Sequence, residues 1–241
     1  MKCALFGCLG RMGRQVLDEA GGRLSIEACY DTGPPALLSD RPLPEGTEVV
    51  IDFSSPDAWT DLDRLLEPTD AALVTGTTGL GPPQEEMLAR WITGRPVFRA
   101  SNMSRGVYVL GRLLEKASAL LGDDFDMEIL EAHHGMKADS PSGTARELIG
   151  IWSERHPGPL AYGREGRTGP RSGGEIGVHS MRGGDVVGEH EIHLLGSGER
   201  LLLAHRASSR RTFAAGAVSA ALWIAGREPG LYGMRDMMED R

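Results

Sequence analysis

Through residues 1–103, short apolar runs alternate with helical patterns, and this alternation restricts the chain to strand–helix–strand units around a parallel sheet. The expected strands are Lys2 to Phe6, Ile26 to Tyr30, Glu48 to Phe53, Ala71 to Thr75 and Pro96 to Ala100. The expected helices are Arg11 to Ala20, Pro56 to Leu66 and Pro83 to Ile92. The last two open on proline, whose missing N–H is not needed in a first helical turn. Gly33 to Gly46 holds Pro34, Pro35, Pro42 and Pro44 and reads as an irregular connection.

After Asn102 the pattern changes. A long amphipathic helix, Ser104 to Leu121, precedes a strand, Met127 to Ala132, a polar loop and a helix, Gly143 to Trp152. Ala161 to Gly184 is rich in glycine and arginine and reads as loop, and two strands follow, Val186 to Leu195 and Arg200 to Ala207. Residues 213 to 226 form a small-residue apolar helix that must bury itself, and we expect it to return to the first domain. The fold class is therefore α/β: an N-terminal doubly wound parallel sheet plus a smaller α+β domain with a mixed, largely antiparallel sheet. The first domain is expected over residues 1–103, completed by the C-terminal segment 212–241, and the second over 104–211.

With Lys plus Arg at 26 and Asp plus Glu at 34, the net charge of −8 repels phosphate backbones, so nucleic acid is a poor partner. No apolar run approaches the roughly 18 to 20 residues that span a bilayer. Residues 1–6 enter Gly7 without a signal-peptide apolar region, so a soluble cytoplasmic protein is expected. Cys3, Cys8 and Cys29 lack CxxC spacing and suggest neither a disulfide framework nor a metal site.

Gly7, Gly10 and Gly13 stand as GCLGRMG between an apolar strand and a helix. Glycine there lets the chain turn tightly and lets a pyrophosphate reach the N–H groups of the helix N-terminus, the Rossmann-like arrangement. Leu9 replaces the middle glycine of the commoner pattern, and a plain strand-to-helix turn is the other reading. Asp31 ends the second strand about 20 residues on, where a carboxylate accepts from ribose hydroxyls, or else caps a turn. Thr32 beside it is not basic, which favours NADH over NADPH, with Arg11 or Arg14 as compensating cations. Gly76, Thr77 and Thr78 follow the fourth strand, and Ala100, Ser101, Asn102 and Met103 follow the fifth, both at the carboxyl edge where such sheets bind ligands.

Residues 131 to 145, EAHHGMKADSPSGTA, form a polar loop between a strand and a helix. His133 and His134 are adjacent, so they point apart along an extended chain and do not readily share a metal. A histidine exchanges protons near neutrality, and Lys137 adds a compact cation in a chain whose other lysines are Lys2 and Lys116. Together they suit an anionic, protonatable substrate, although Lys137 also reads as a solvated surface residue. Ser142, Gly143 and Thr144 open a helix and present groups that hold a carboxylate or simply cap the helix. His190 and His193 fall on opposite faces of a strand, against a metal site.

These segments, with REGRTG, MRGGDVVGEHEIH and HRASSRRTFAAGAVSAALW, resemble the 4-hydroxy-tetrahydrodipicolinate reductase (dihydrodipicolinate reductase) family from Met1 to about Arg235. The resemblance implies an NAD(P)H-dependent reductase of diaminopimelate and lysine biosynthesis acting on a small cyclic imine dicarboxylate, without a metal. By position, His133 corresponds to the proton donor and acceptor and Lys137 to the second proton donor. His134, Gly143 and Thr144 correspond to substrate ligands. Gly7, Cys8, Leu9, Gly10, Arg11, Met12, Asp31, Gly76, Thr77, Thr78, Ala100, Ser101, Asn102 and Met103 correspond to the nucleotide contacts. The family also implies a homotetramer joined through the second domain's sheet and hinges near Ser104 and Arg210. Departures from its pattern are Cys8, Leu9, Thr32, Met103, Gly135 and Met136. The competing readings are a two-domain dehydrogenase of the aspartate dehydrogenase type and a non-catalytic NADH sensor.

Overall fold

The structure, a computed structural model, describes residues 1–31 and 41–240. Thr32 and the 33–40 part of the proline-rich connection lie outside the described residues. The order begins β1 (Lys2–Phe6), α1 (Arg11–Ala20), β2 (Ser25–Tyr30), β3 (Val49–Asp52), α2 (Trp59–Leu66), β4 (Ala72–Thr75), α3 (Pro82–Gly94) and β5 (Pro96–Arg99). It continues with α4 (Arg105–Leu121), β6 (Asp126–His133), α5 (Gly143–Ser153), β7 (Leu160–Tyr162), β8 (Ile176–Arg182), β9 (Gly188–Gly196) and β10 (Glu199–Ala207). It ends with α6 (Arg211–Ile224), β11 (Gly230–Tyr232) and α7 (Met234–Glu239). Two units result: Met1–Arg105 with the segment from Arg210 onward, and Gly106–Ser209.

The first unit holds a sheet in the order β11-β5-β4-β3-β1-β2, parallel throughout. Strands β1, β3, β4 and β5 are nearly continuous buried runs because both of their faces are covered. Cys3, Leu5, Val49, Ile51, Ala72, Val74 and Phe98 face one way, against Val16 and Ala20 of α1 and the small residues of α6. The alternate residues Ala4, Phe6, Val50, Leu73 and Val97 face α2 and α3, where Trp59 and Trp91 lie with ring centroids 4.9 Å apart. Helix α6 thus returns to the first sheet, as its composition requires. Its glycine allows a close approach, since a Cβ at Gly216 would lie 1.8 Å from the Met103 carbonyl oxygen. The sixth strand, β11, has three residues and no alternation long enough to read in sequence.

The second unit's sheet runs β10-β9-β6-β8-β7. The β9–β10 and β6–β9 pairings are antiparallel, the former carrying the longest register, while β6–β8 and β7–β8 are parallel. Met127 and Ile129 of β6, Ile176 and Val178 of β8, and Ile192 and Leu194 of β9 form the core face under Leu110 and Leu114 of α4 and Leu148, Ile149 and Trp152 of α5. Strands β7 and β8 correct the expectation of loop over 161–184. Their signal is masked because β8 gives up a side chain at Gly177, where a Cβ would lie 1.7 Å from Oε2 of Glu128. No helix among the described residues is long and apolar enough to cross a membrane.

Candidate active site

Parallel pairing brings the carboxyl ends of β1 to β5 to one edge, and the strand order reverses direction at β1, the place where such sheets leave a crevice. Gly7 has φ +85°, and a Cβ on it would lie 2.5 Å from the Phe53 carbonyl oxygen, so the turn requires glycine. A Cβ at Gly13 would lie 2.2 Å from Gly7 O, which is the tight helix–strand packing the third glycine permits. At Gly10 a Cβ would lie 3.2 Å from Gly7 O, and Gly10 caps α1 without a side-chain hydrogen bond. The turn therefore has the shape of a phosphate cradle that a side chain would crowd.

Asp31 is brought onto this turn: the Leu9 N–H donates to its Oδ2 at 2.8 Å. Cys8 is buried, Leu9, Gly10 and Arg11 are exposed, and Met12 packs partly against the core. Gly76 lies on Phe53, with a Cβ there 2.2 Å from the ring, and Thr78 is exposed. The Thr77 hydroxyl is already engaged, donating to Asp52 Oδ2 at 2.8 Å. Ser101 is exposed, Asn102 Oδ1 accepts from the Ser104 N–H at 2.9 Å, and the Met103 side chain is buried in the core.

Asp52 was not singled out from sequence. It is fully buried at the end of β3, and its Oδ2 also accepts from Thr75 Oγ1 at 2.7 Å and Trp59 Nε1 at 3.2 Å. Its Oδ1 accepts from the Ser54 N–H at 3.0 Å and hydroxyl at 2.5 Å. One carboxylate thereby joins the ends of β3 and β4 to α2 and shapes the Gly76–Thr78 turn.

In the second unit the core face of the sheet turns polar at one end. Along β6 the period of two carries Met127 and Ile129 into Glu131 and then His133. Glu131 is fully buried, and its Oε2 lies 2.5 Å from His133 Nδ1. Arg182 grips the same carboxylate with both terminal nitrogens, at 2.7 and 2.9 Å. Burial raises the Glu131 pKa, but hydrogen bonds from His133, Arg182 and Ser180 outweigh it and hold the group well below the usual carboxylate range. His133 Nε2 would lie 3.1 Å from a Cβ at Gly188, so the absence of a side chain there leaves that nitrogen clear.

His190 meets His133 edge-on with ring centroids 5.3 Å apart. It is buried, and burial followed by the charge of His133 lowers its pKa to about 4, so it stays neutral at physiological pH. Its Nε2 lies 3.1 Å from Ser142 Oγ, which caps α5 by accepting from the Ala145 N–H at 3.1 Å. Gly143 is half-buried and Thr144 buried at that helix start. His193 lies on the other face of β9, more exposed.

His134 is half-buried in the loop after β6, and its carbonyl accepts from the Lys137 N–H at 3.1 Å. Lys137 Nζ donates to Asp139 Oδ1 at 2.8 Å, a partner the sequence reading missed. Burial raises the Asp139 pKa, while the hydrogen bond and charge of Lys137 lower it further, and the net direction is down. Arg182 ties this loop to Glu131 by donating to the Asp139 carbonyl at 2.7 Å. His156 and His179 meet Asp123 at 3.0 Å and Glu128 at 2.7 Å. Among the described residues no group of three or more His, Cys, Asp or Glu is placed to hold a metal.

Two family models cover the chain: dihydrodipicolinate reductase, N-terminus, matches residues 1–103, and dihydrodipicolinate reductase, C-terminus, matches residues 106–238. The 4-hydroxy-tetrahydrodipicolinate reductase of Alkalilimnicola ehrlichii is 41% identical, with 98% of each chain covered. That of Acinetobacter baumannii strain AYE is 46% identical over 98% of this chain and 96% of its own. A dipicolinate-bound dihydrodipicolinate reductase structure from Paenisporosarcina sp. TG-14 shares the fold, with TM-score 0.73, 21% identity and 98% of each chain covered. Since both halves match that family's models and curated reductases align along nearly the whole length, this chain belongs to the dihydrodipicolinate reductase family.

Proposed function

We propose that the protein reduces 4-hydroxy-tetrahydrodipicolinate to tetrahydrodipicolinate with reduced nicotinamide nucleotide, a step of diaminopimelate and lysine biosynthesis. The observation that carries this reading is the polar end of the second sheet. There an ionised Glu131 orients toward His133, and Arg182 binds both that carboxylate and the loop bearing Lys137. A dicarboxylate substrate suits this cluster, because Lys137 can exchange Asp139 for a substrate carboxylate and the α5 start at Gly143 and Thr144 offers N–H donors. His133 serves as proton donor and acceptor, Lys137 as second proton donor, and His134 as a substrate contact.

The glycine turn fits a dinucleotide, on the open approach at Gly10 and the uncapped start of α1. Gly7 to Met12 would hold the diphosphate, Asp31 the adenosine ribose, and Gly76 to Thr78 with Ala100 to Met103 the nicotinamide end. The bound nucleotide supplies the hydride. NADH is preferred on this reading, because a carboxylate at Asp31 repels a 2′-phosphate and the sequence offers no adjacent cation. The oligomer is a tetramer in which the second unit's β10, with Leu201 and Leu202 exposed on its two faces, is covered by another copy. The cell compartment is the cytoplasm.

The test generates the unstable substrate in the cuvette from pyruvate and aspartate semialdehyde with the preceding synthase, and follows reduced nicotinamide by its near-ultraviolet absorbance. Synthase-dependent loss of absorbance, faster per unit concentration with NADH than with NADPH, is expected. No loss with either nucleotide, while NADH still binds, would remove the catalytic assignment.

A further inference from the structure

Glu131 sits on the central strand of the second sheet, opposite Ser180 on β8 and His190 on β9, and His133 sits opposite Arg182. A carboxylate on a core face that otherwise holds Met127 and Ile129 is costly unless its lone pairs are taken. They are taken by Arg182 on both oxygens, by the Ser142 N–H on Oε1 at 3.3 Å, and by His133 on Oε2. An ionised carboxylate only accepts hydrogen bonds. The hydrogen between Glu131 and His133 therefore belongs to Nδ1, and the neutral ring carries its lone pair on Nε2, the nitrogen that Gly188 leaves clear.

Building on the reductase reading above, we infer that Glu131 is the positioning residue of the proton transfer: it fixes the Nδ1–H tautomer of His133 and stabilises the imidazolium, with Arg182 holding Glu131 in place. The substrate's 4-hydroxyl leaves as water together with a ring C–H proton, and the hydride supplied by the nucleotide would then bring two electrons and one hydrogen to the resulting conjugated imine. The balancing proton leaves His133 Nε2, whose N–H bond breaks as the new bond forms on the substrate. The ring returns to the neutral Nδ1–H form, and water restores the Nε2 proton. The charged and titratable groups around His133 are Glu131 on its own strand, Arg182 on β8 and His190 on β9. Lys137 and Asp139 lie in the adjoining loop, His205 on β10 acts on His190, and α5 contributes the Ser142 hydroxyl.

The experiment is two-bond proton–nitrogen NMR of the histidine-labelled full chain, with the His133 signals assigned by their loss in His133→Gln. The neutral ring is expected in the Nδ1–H form in the wild type, a readout that needs no turnover. In Glu131→Gln the tautomer pattern shifts toward Nε2–H. Its kcat falls about 10-fold or more while KM for the nucleotide stays within about twofold. The basic limb of its kcat–pH profile moves to lower pH, because an imidazolium without its anion forms less readily. Glu131→Asp, which keeps the charge on a shorter arm, recovers part of that profile. A wild-type ring in the Nε2–H form, or a Glu131→Gln variant with unchanged nitrogen shifts and pH profile, overturns the inference. If the Gln variant does not fold, the wild-type spectrum still decides. Absence of wild-type turnover with the Nδ1–H form intact would instead count against the reductase reading alone.

Discussion

Lys137 and Asp52 illustrate how one side chain's partners set its role. Lys137 donates to Asp139, which is half-exposed and so can be exchanged for an incoming carboxylate at little cost. Lys137→Ala is expected to lower kcat about 10²-fold with NADH affinity unchanged, whereas Asp139→Asn should alter kcat far less; steady-state kinetics with nucleotide titration separates the two. His133→Gln should match the lysine variant, and near-wild-type turnover in either would remove that residue from the chemistry. Asp52 is the opposite case, because the buried donors of Thr75, Thr77 and Trp59 have no water to turn to. Asp52→Ala should destabilise the first unit by roughly 3 kcal/mol, and Asp52→Asn by less. Urea unfolding followed at Trp59, which donates to this carboxylate, measures it, and a loss below roughly 0.5 kcal/mol would contradict the accounting.

Helix α6 depends on small residues as much as on apolar ones. Ala214, Ala217, Ala220 and Ala221 are fully buried, and Gly216 passes the Met103 carbonyl with no room for a Cβ. Gly216→Ala would place a methyl on backbone rather than on a flexible side chain, so the helix must shift. A loss of about 1–3 kcal/mol is expected by thermal or urea unfolding, against the usual helix-stabilising effect of alanine for glycine. An unchanged or raised midpoint would show that the helix is free to move off the sheet. The packing of α6 was legible in its sequence, since so apolar a segment needs a large partner, and the parallel sheet was legible in the strand–helix alternation. Strands β7, β8 and β11 were not: two have three residues, and β8 gives up its alternation at Gly177 to the carboxylate of Glu128. In the same way the loop with His133 and Lys137 stood out as polar sequence, but Glu131 and Arg182 did not. The signal for Glu131 was present, since a core face of Met127 and Ile129 continues at the same period into a carboxylate two residues before a histidine. Arg182 lies 51 residues away from Glu131 in the chain, and only the β6–β8 pairing brings them together.

At the scale of the molecule, the groups with the largest acid sensitivity gather in the second unit. His190 has its pKa lowered to about 4 chiefly by burial, with its other charged neighbours His133, Glu131, His205 and Lys137 partly offsetting one another. Glu128 is lowered to about 2: burial opposes this, and hydrogen bonds from Arg164 and His179 with the charge of Arg171 outweigh it. Glu131 moves in the same direction. In each case the unfolded chain binds protons at higher pH than the folded one, so stability falls as pH falls. The His190 contribution is complete above about 6.5, the unfolded histidine value, and is lost progressively down to about 4. The carboxylates contribute fully above about 4.5 and lose their share as pH falls further. For His190 the difference amounts to roughly 3 kcal/mol in order of magnitude. Global charge works the other way down to the isoelectric point of about 5.4, where the net −8 has shrunk to zero and self-repulsion is relieved; below it the chain becomes net positive and repulsion returns. A loss of stability between about pH 6.5 and the isoelectric point of about 5.4 must therefore come from specific groups such as buried His190. Trp152 belongs to the second unit, while Trp59, Trp91 and Trp223 belong to the first, so comparison with a Trp152→Phe variant isolates the second unit's fluorescence. The expected outcome is that urea unfolding reported by Trp152 moves to lower midpoints through this window before that of the other tryptophans. In His190→Gln the upper part of that dependence flattens. Parallel shifts of all four tryptophans, or a His190→Gln variant with the wild-type pH dependence, would place the acid sensitivity elsewhere in the chain.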